Sequence, residues 1–411
     1  MFKPSPASRM ALTACLTLVC SLPAAHASTA PAASPLALAA PASAAQSHAV
    51  TAPALTARAW LVLDATSGQV LGGQNARTRI EPASLTKIMT AYVVFQALAA
   101  KEITLQQQVT ISTRAWKVAP GSSRMFLEPG NQVTVDALLY GLMVQSGNDA
   151  AVALAETVSG SVEAFVARMN TQAQALGLAD THFNSPSGLP DALTYSTAAD
   201  LGTLAARMSR DFGQTARRYD TTREFTYNKI RQTNRNRLLW QDPSVDGMKT
   251  GHTESAGYCL IGSASRNEGG LQRRLIAVVI GTASDKVRTQ EARTLLEWGY
   301  GAFRTVRLYQ AGESAGEQQV WKGQAEAVPV GYARDVYLTT PAGARVERAV
   351  QPAQPLIAPI TAQQQVGVVQ ISVDGKPALQ VPMVAQQPVP EAGFVGRAWD
   401  SVRLWWRDDA S

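Results

Sequence analysis

Behind the lysine of Ser84-Leu85-Thr86-Lys87 runs Ile88-Met89-Thr90-Ala91-Tyr92-Val93-Val94-Phe95, a stretch with almost no polar face. A helix with one apolar stripe lies on a surface, whereas one that is apolar all round must be covered on every side. The run therefore predicts a helix threaded through the centre of a domain, with Lys87 near its head. Pro82, two residues before the serine, suits a helix start. If Ser84 opens that helix, Lys87 stands one turn on and on the same face, with its amine in reach of the serine hydroxyl. Backbone N–H groups at such a start also favour negative charge developing there.

Two further motifs follow. Ser146-Gly147-Asn148 sits between the apolar run 138–144 and a second helical stretch, 149–158. Gly147 allows a tight turn, which would put Ser146 and Asn148 at the edge of a cleft. The hydroxyl would relay protons, and the amide would hold Lys87 or a substrate carbonyl. Lys249-Thr250-Gly251 precedes two strand-like segments, 256–264 and 275–282. It reads as an edge strand able to pair with an extended peptide. Lys249 and Thr250 would supply a cation and a hydroxyl for a terminal carboxylate, and Gly251 would let substrate approach closely. Each motif alone is weak: a capped helix, a helix-to-helix turn and a hairpin explain them equally well. In this order, with domain-scale gaps, they describe serine acyl transfer in which a lysine moves the proton. Lys87 must then be neutral part of the time, and burial together with a second ammonium, Lys249, would depress its pKa.

The chain has 411 residues, enough for more than one core. Residues 1–27 read as an export signal, with Lys3 and Arg9 ahead of an apolar stretch and Ala25-His26-Ala27 as the cleavage site. Cys15 and Cys20 would leave with it, so Cys259 would remain alone, a buried strand residue with no intrachain disulfide partner. Residues 28–57, rich in Ala, Pro and Ser, read as a disordered leader. A catalytic domain is expected over 58–305 and a small β-rich domain over 306–390. Residues 391–411 form an amphipathic helix. Phe394, Val395, Ala398, Trp399, Val402, Trp405 and Trp406 lie on one side, Arg397, Asp400, Ser401 and Arg407 on the other. It is too short and too charged to span a bilayer and suits a membrane interface. The net charge of +6 is scattered, with no nucleic-acid recognition pattern. Four histidines without H-E-x-x-H argue against metal hydrolysis, and no metal or cofactor is expected. His182 and His252 read as satisfied loop residues.

Pro82-Ala83-Ser84-Leu85-Thr86-Lys87, Ser146-Gly147-Asn148-Asp149-Ala150 and Asp246-Gly247-Met248-Lys249-Thr250-Gly251-His252-Thr253 together resemble the low-molecular-mass penicillin-binding proteins, the D-alanyl-D-alanine carboxypeptidases. The resemblance extends through Asn234-Arg235-Asn236 and Ala256-Gly257-Tyr258 to the β-rich domain and the tail. It implies an α/β catalytic domain, with an antiparallel sheet flanked by helices plus a helical subdomain, followed by a small all-β domain. It also implies an enzyme on the periplasmic side of the inner membrane that removes the terminal D-alanine from peptidoglycan pentapeptide stems. By the same resemblance Ser84 is the nucleophile and Lys87 its base, assisted by Ser146 and Asn148. Lys249, Thr250, Gly251 and Arg288 bind the substrate's end. Backbone N–H of Ser84 and His252 form the oxyanion hole. Phe394, Trp399, Trp405 and Trp406 anchor the tail to the membrane, and β-lactams acylate Ser84. The loop Asn184-Ser185-Pro186-Ser187-Gly188-Leu189 departs from relatives that carry a histidine before Gly-Leu. A D,D-endopeptidase using the same residues and a catalytically weak wall-binding protein are the alternatives. A β-lactamase would need a glutamate-bearing deacylation loop, which is not evident.

Overall fold

The computed structural model describes residues 50–408. The expected export signal and most of the expected leader lie outside the described residues. The leader's last residues, expected to be disordered, are docked. Trp298 Nε1 donates to Thr51 O (3.0 Å), Thr56 N–H and Oγ1 both donate to Glu291 (2.6 Å), and Ala57 is buried. A segment of small, mostly apolar residues has found both a donor, Trp298, and an acceptor, Glu291, on a neighbouring helix.

That helix flanks a five-stranded antiparallel sheet. Its strands are β1 (Ala59–Asp64), β2 (Gln69–Gln74), β3 (Val245–Thr253), β4 (Gly257–Glu268) and β5 (Leu271–Thr282), in the order β2-β1-β5-β4-β3. Every residue of β1 is buried because the sheet is covered on both faces. Alternation along the strand divides it between two cores: Ala59, Leu61 and Leu63 join one, Trp60 and Val62 the other. The larger core contains α1 (Lys87–Ala99), α2 (Val135–Tyr140), α3 (Asn148–Ser159), α4 (Val162–Ala175) and α5 (Ala198–Asp220). The smaller is closed by α6 (Asp285–Ala302) through Leu295, Leu296 and Tyr300. Ser161, Thr197 and Ser284 start α4, α5 and α6 by accepting backbone N–H bonds three residues on. As the sequence predicted for α1, every residue from Ile88 to Phe95 is at most 3 % exposed.

The second unit leaves α6 directly. Strand β6 (Phe303–Tyr309) pairs with a later strand, and the other strands build a six-stranded sheet. In chain order these are β7 (Ser314–Trp321), β8 (Ala327–Gly331), β9 (Val336–Pro341), β10 (Val346–Pro352), β11 (Leu356–Ile357), β12 (Gln365–Val373) and β13 (Lys376–Ala385). Strand β9 is the partner of β6, and the large sheet runs β10-β12-β13-β8-β7-β11. Strand β10 carries a single proline, at its end. It is an edge strand ending at Pro352, where a missing N–H costs no ladder bond.

A buried carboxylate fastens the two domains. Asp64 Oδ2 accepts from Arg273 Nε (2.8 Å), Thr305 Oγ1 (2.6 Å) and Thr339 Oγ1 (3.0 Å), while Oδ1 accepts the Thr66 and Ser67 N–H groups. Asp64 and Arg273 are both fully buried. Gln69 adds a two-way bond to the Thr339 backbone. Helix α7 (Phe394–Asp408) closes the described chain, and among the described residues no single helix is long and apolar enough to cross a membrane.

Candidate active site

Ser84 does not open the α-helix. It lies in a 3₁₀ turn, Ala83–Thr86, and α1 begins at Lys87. The predicted contact nevertheless forms: Lys87 Nζ donates to Ser84 Oγ at 2.9 Å. Its other acceptors are Asn148 Oδ1 and Ser187 O, both at 2.7 Å. Three acceptors match the three N–H bonds of an ammonium. Ser187 O could not have been read from the sequence, because a backbone carbonyl leaves no residue-type signal.

Lys87 is fully buried, and its pKa falls from 10.5 to about 7. Burial is the main cause, the Arg235 charge adds to it, and Asp149 opposes it. Lys249, also buried, is pushed well below its ordinary value by burial, then by Lys87, Arg235 and Arg288. Asp220, buried nearby, opposes that shift. Lys87, Arg235 and Arg288 each penalise a proton on Lys249.

Ser146 arrives by an unusual route. The backbone widens into a π-helical turn over Gly141–Gln145, and Ser146 itself takes the left-handed conformation (φ 68°, ψ 35°). The sequence assigned the turn's conformational freedom to Gly147, which instead has a negative φ. A side chain at Gly147 would meet Asp149 Oδ1 at 2.7 Å, so closeness explains that glycine. Ser146 Oγ is buried and has no hydrogen-bond partner among the described residues. Asp149, next to the motif, accepts the N–H groups of Met125, Leu127 and Ala150. It thereby fixes the loop that forms one wall of the cleft.

Lys249, Thr250 and Gly251 lie on β3, the edge strand of the sheet. The close approach that Gly251 permits is to the serine turn, since a Cβ there would stand 3.2 Å from both Pro82 O and Ala83 Cβ. Opposite, Gly188 has φ +73°, and a Cβ on it would fall 1.9 Å from Ala83 O. The turn is thus gripped between β3 and the loop 184–189. Between these elements opens a cleft of about 830 Å³, lined by Ser84, Ser146, Asn148, Arg235, Thr250 and His252 among others.

Arg288 also lines the cleft, at the start of α6. Its terminal nitrogens already donate to Gly251 O (3.0 Å), Cys259 O (3.3 Å) and Asp285. Arg235 lines the same space and makes no hydrogen bond or ion pair among the described residues. Sequence reasoning gave it no role, although it lies within the quoted Asn234-Arg235-Asn236. His252 packs in a tilted arrangement on Tyr258 with ring centroids 4.0 Å apart, whereas His182 bonds to Leu193 O away from the cleft. Cys259 is buried and unpaired, with its pKa raised by burial to about 11, so it is no nucleophile.

The sequence model of the D-alanyl-D-alanine carboxypeptidase family matches residues 46–284. The chain belongs to that family. A second model, the C-terminal domain of penicillin-binding protein 5, matches residues 303–391. The enzyme is 42% identical over 356 residues to D-alanyl-D-alanine carboxypeptidase DacA of Escherichia coli K12, covering 85% of this chain and 87% of that protein. DacC of the same organism is also 42% identical over 356 residues, covering 85% and 88%. Penicillin-binding protein 5 of Haemophilus influenzae superposes with a TM-score of 0.80 at 41% identity, covering 83% of this chain and 99% of that one.

Proposed function

We propose that Ser84 is the nucleophile of a serine-type D-alanyl-D-alanine carboxypeptidase acting on peptidoglycan stem peptides, with Lys87 as its base. Neutral Lys87 takes the Ser84 proton as Oγ bonds to the penultimate D-alanine carbonyl carbon. Backbone N–H groups of Ser84 and His252 receive the oxyanion. The C–N bond then breaks, and the leaving D-alanine nitrogen receives a proton relayed through Ser146. Water attacks the resulting ester, Lys87 again accepting its proton and passing it to Ser84 Oγ as the ester C–O bond breaks. Lys249, Thr250 and the uncommitted Arg235 hold the terminal carboxylate, while Arg288 acts mainly by bracing Gly251. The observation that carries this reading is the buried Lys87 amine, 2.9 Å from Ser84 Oγ.

The test is chromatography of peptidoglycan fragments, pentapeptide monomers and cross-linked dimers together, with Ser84→Ala as control. Serine-dependent loss of one alanine from monomers supports the assignment. Conversion of dimers to monomers supports the endopeptidase, and no reaction supports the wall-binding alternative. β-Lactams, as mimics of the D-alanyl-D-alanine end, acylate Ser84 in this reading.

The enzyme is placed at the periplasmic face of the inner membrane, exported by residues 1–27 and held by α7. Phe394, Val395, Trp399, Trp405 and Trp406 on that helix are 64–80 % exposed. On its other side Asp400 accepts the Lys322 N–H, and Arg403 lies over the Trp321 ring at 5.3 Å. A helix that binds its own domain through polar groups and turns tryptophans outward suits a lipid interface. Flotation with anionic vesicles, lost in Trp405→Glu/Trp406→Glu, tests the attachment.

A further inference from the structure

The two N–H groups assigned to the oxyanion hole belong to separate elements, the serine turn and strand β3, and their spacing is no better than the docking of one on the other. A single side chain spans that junction. Glu81 lies three residues before Ser84, and its Oε1 accepts the Thr253 hydroxyl at 2.9 Å. Its Oε2 accepts the Ser255 hydroxyl. Thr253 is the residue after His252, the last of β3. Thr253 Oγ1 in turn accepts the Ala256 N–H at 2.9 Å, so the carboxylate grips the whole turn that leaves the strand. From the other side Arg58 donates to the Ser255 and Ala256 carbonyls.

We infer that Glu81 is a positioning residue, a clasp that sets the distance between the two halves of the oxyanion hole. The inference rests on the assignment of Ser84 and His252 N–H to that hole. Glu81 is absent from the residues lining the cleft, so it touches no reacting atom and acts through the elements it joins. The contact it fastens is close, with Gly251 packed on Pro82 O and Ala83. Thr253 does line the cleft, but its hydroxyl is committed to Glu81, which leaves carboxylate recognition to the neighbouring cations and Thr250.

Hydrogen bonds to a transition-state oxyanion are sensitive to displacements well below the size of an atom, whereas ground-state binding of a flexible peptide is not. Glu81→Ala should therefore lower kcat and the rate constant of acylation by a fluorescent penicillin by about 10-fold or more, with KM changing less than about twofold. Glu81→Gln, whose amide still bonds both hydroxyls, should recover most of the loss. Ser255→Ala should be non-additive with Glu81→Ala. Thermal unfolding of each variant reports folding separately. A folded Glu81→Ala enzyme with acylation within about threefold of wild type overturns the clasp. So does a fall confined to KM, or a loss that Gln does not relieve. If wild-type activity itself proves independent of Ser84, it is the assignment of the nucleophile that fails.

Discussion

Acylation of Ser84 should follow the ionisation of Lys87, and removing one neighbouring charge should move it in a known direction. With a pKa of about 7, roughly one Lys87 in ten is neutral at pH 6 and about nine in ten at pH 8. A reaction that needs the free base should therefore accelerate about tenfold across that interval. Arg235 is the second cause of the depression after burial. Replacing it by glutamine removes a positive charge that penalises the ammonium, so the Lys87 pKa rises and the midpoint moves to higher pH. The assay is stopped-flow acylation by a fluorescent penicillin at saturating concentration. There the first-order rate constant reports the complex, and the weaker carboxylate binding expected of Arg235→Gln drops out. A profile flat between pH 6 and 8 would refute the base assignment. A midpoint that falls in Arg235→Gln would refute the electrostatic account.

The same shift makes stability depend on pH. The unfolded lysine binds its proton up to about 10.5 and the folded one only up to about 7, so stability rises between those values by about 1.4 kcal/mol per pH unit. Urea unfolding at pH 7 and 9 measures the slope, and Lys87→Met should lower it by that amount, the likewise depressed Lys249 keeping its own share. Gly188→Ala should abolish acylation, by about 100-fold or more, because a Cβ there strikes Ala83 O beside the nucleophile. Penicillin labelling of the folded variant checks this. Asp64→Asn should destabilise the protein by about 3 kcal/mol, since Arg273 would lose a fully buried counter-charge. Denaturant titration reads that cost, and an unchanged midpoint would contradict it.

Sequence patterns were most informative where a side chain carries both burial and chemistry. The run after Lys87 announced a covered helix, and the spacing of Ser84 and Lys87 announced their contact. The third partner of Lys87, Ser187 O, is main chain and leaves no pattern. The left-handed Ser146 was assigned to the wrong residue because glycine is the usual occupant of that conformation, while here the preceding π turn imposes it. Arg288 was expected to be a ligand from the family resemblance. Only the structure shows that backbone carbonyls already use its donors, whereas Arg235, two residues from another arginine in a polar stretch, has none. The leader's docked end was hidden because its contacts are backbone groups and one hydroxyl, which composition does not weigh. Strand β10 escaped for a related reason, since an edge tolerates a proline that would break an interior strand.

The Asp64 joint has a mechanical consequence. Two hydroxyls of the β-rich domain reach the same oxygen that Arg273 holds from within the catalytic domain, out of reach of water, so bending there would strip two hydrogen bonds from a buried ion pair. The β-rich domain is then a strut and not a flexible leash. With α7 on the lipid surface, the cleft would work at one fixed altitude above it. Shortening or lengthening that strut, with every catalytic residue left alone, would retarget the enzyme to a different layer of the wall.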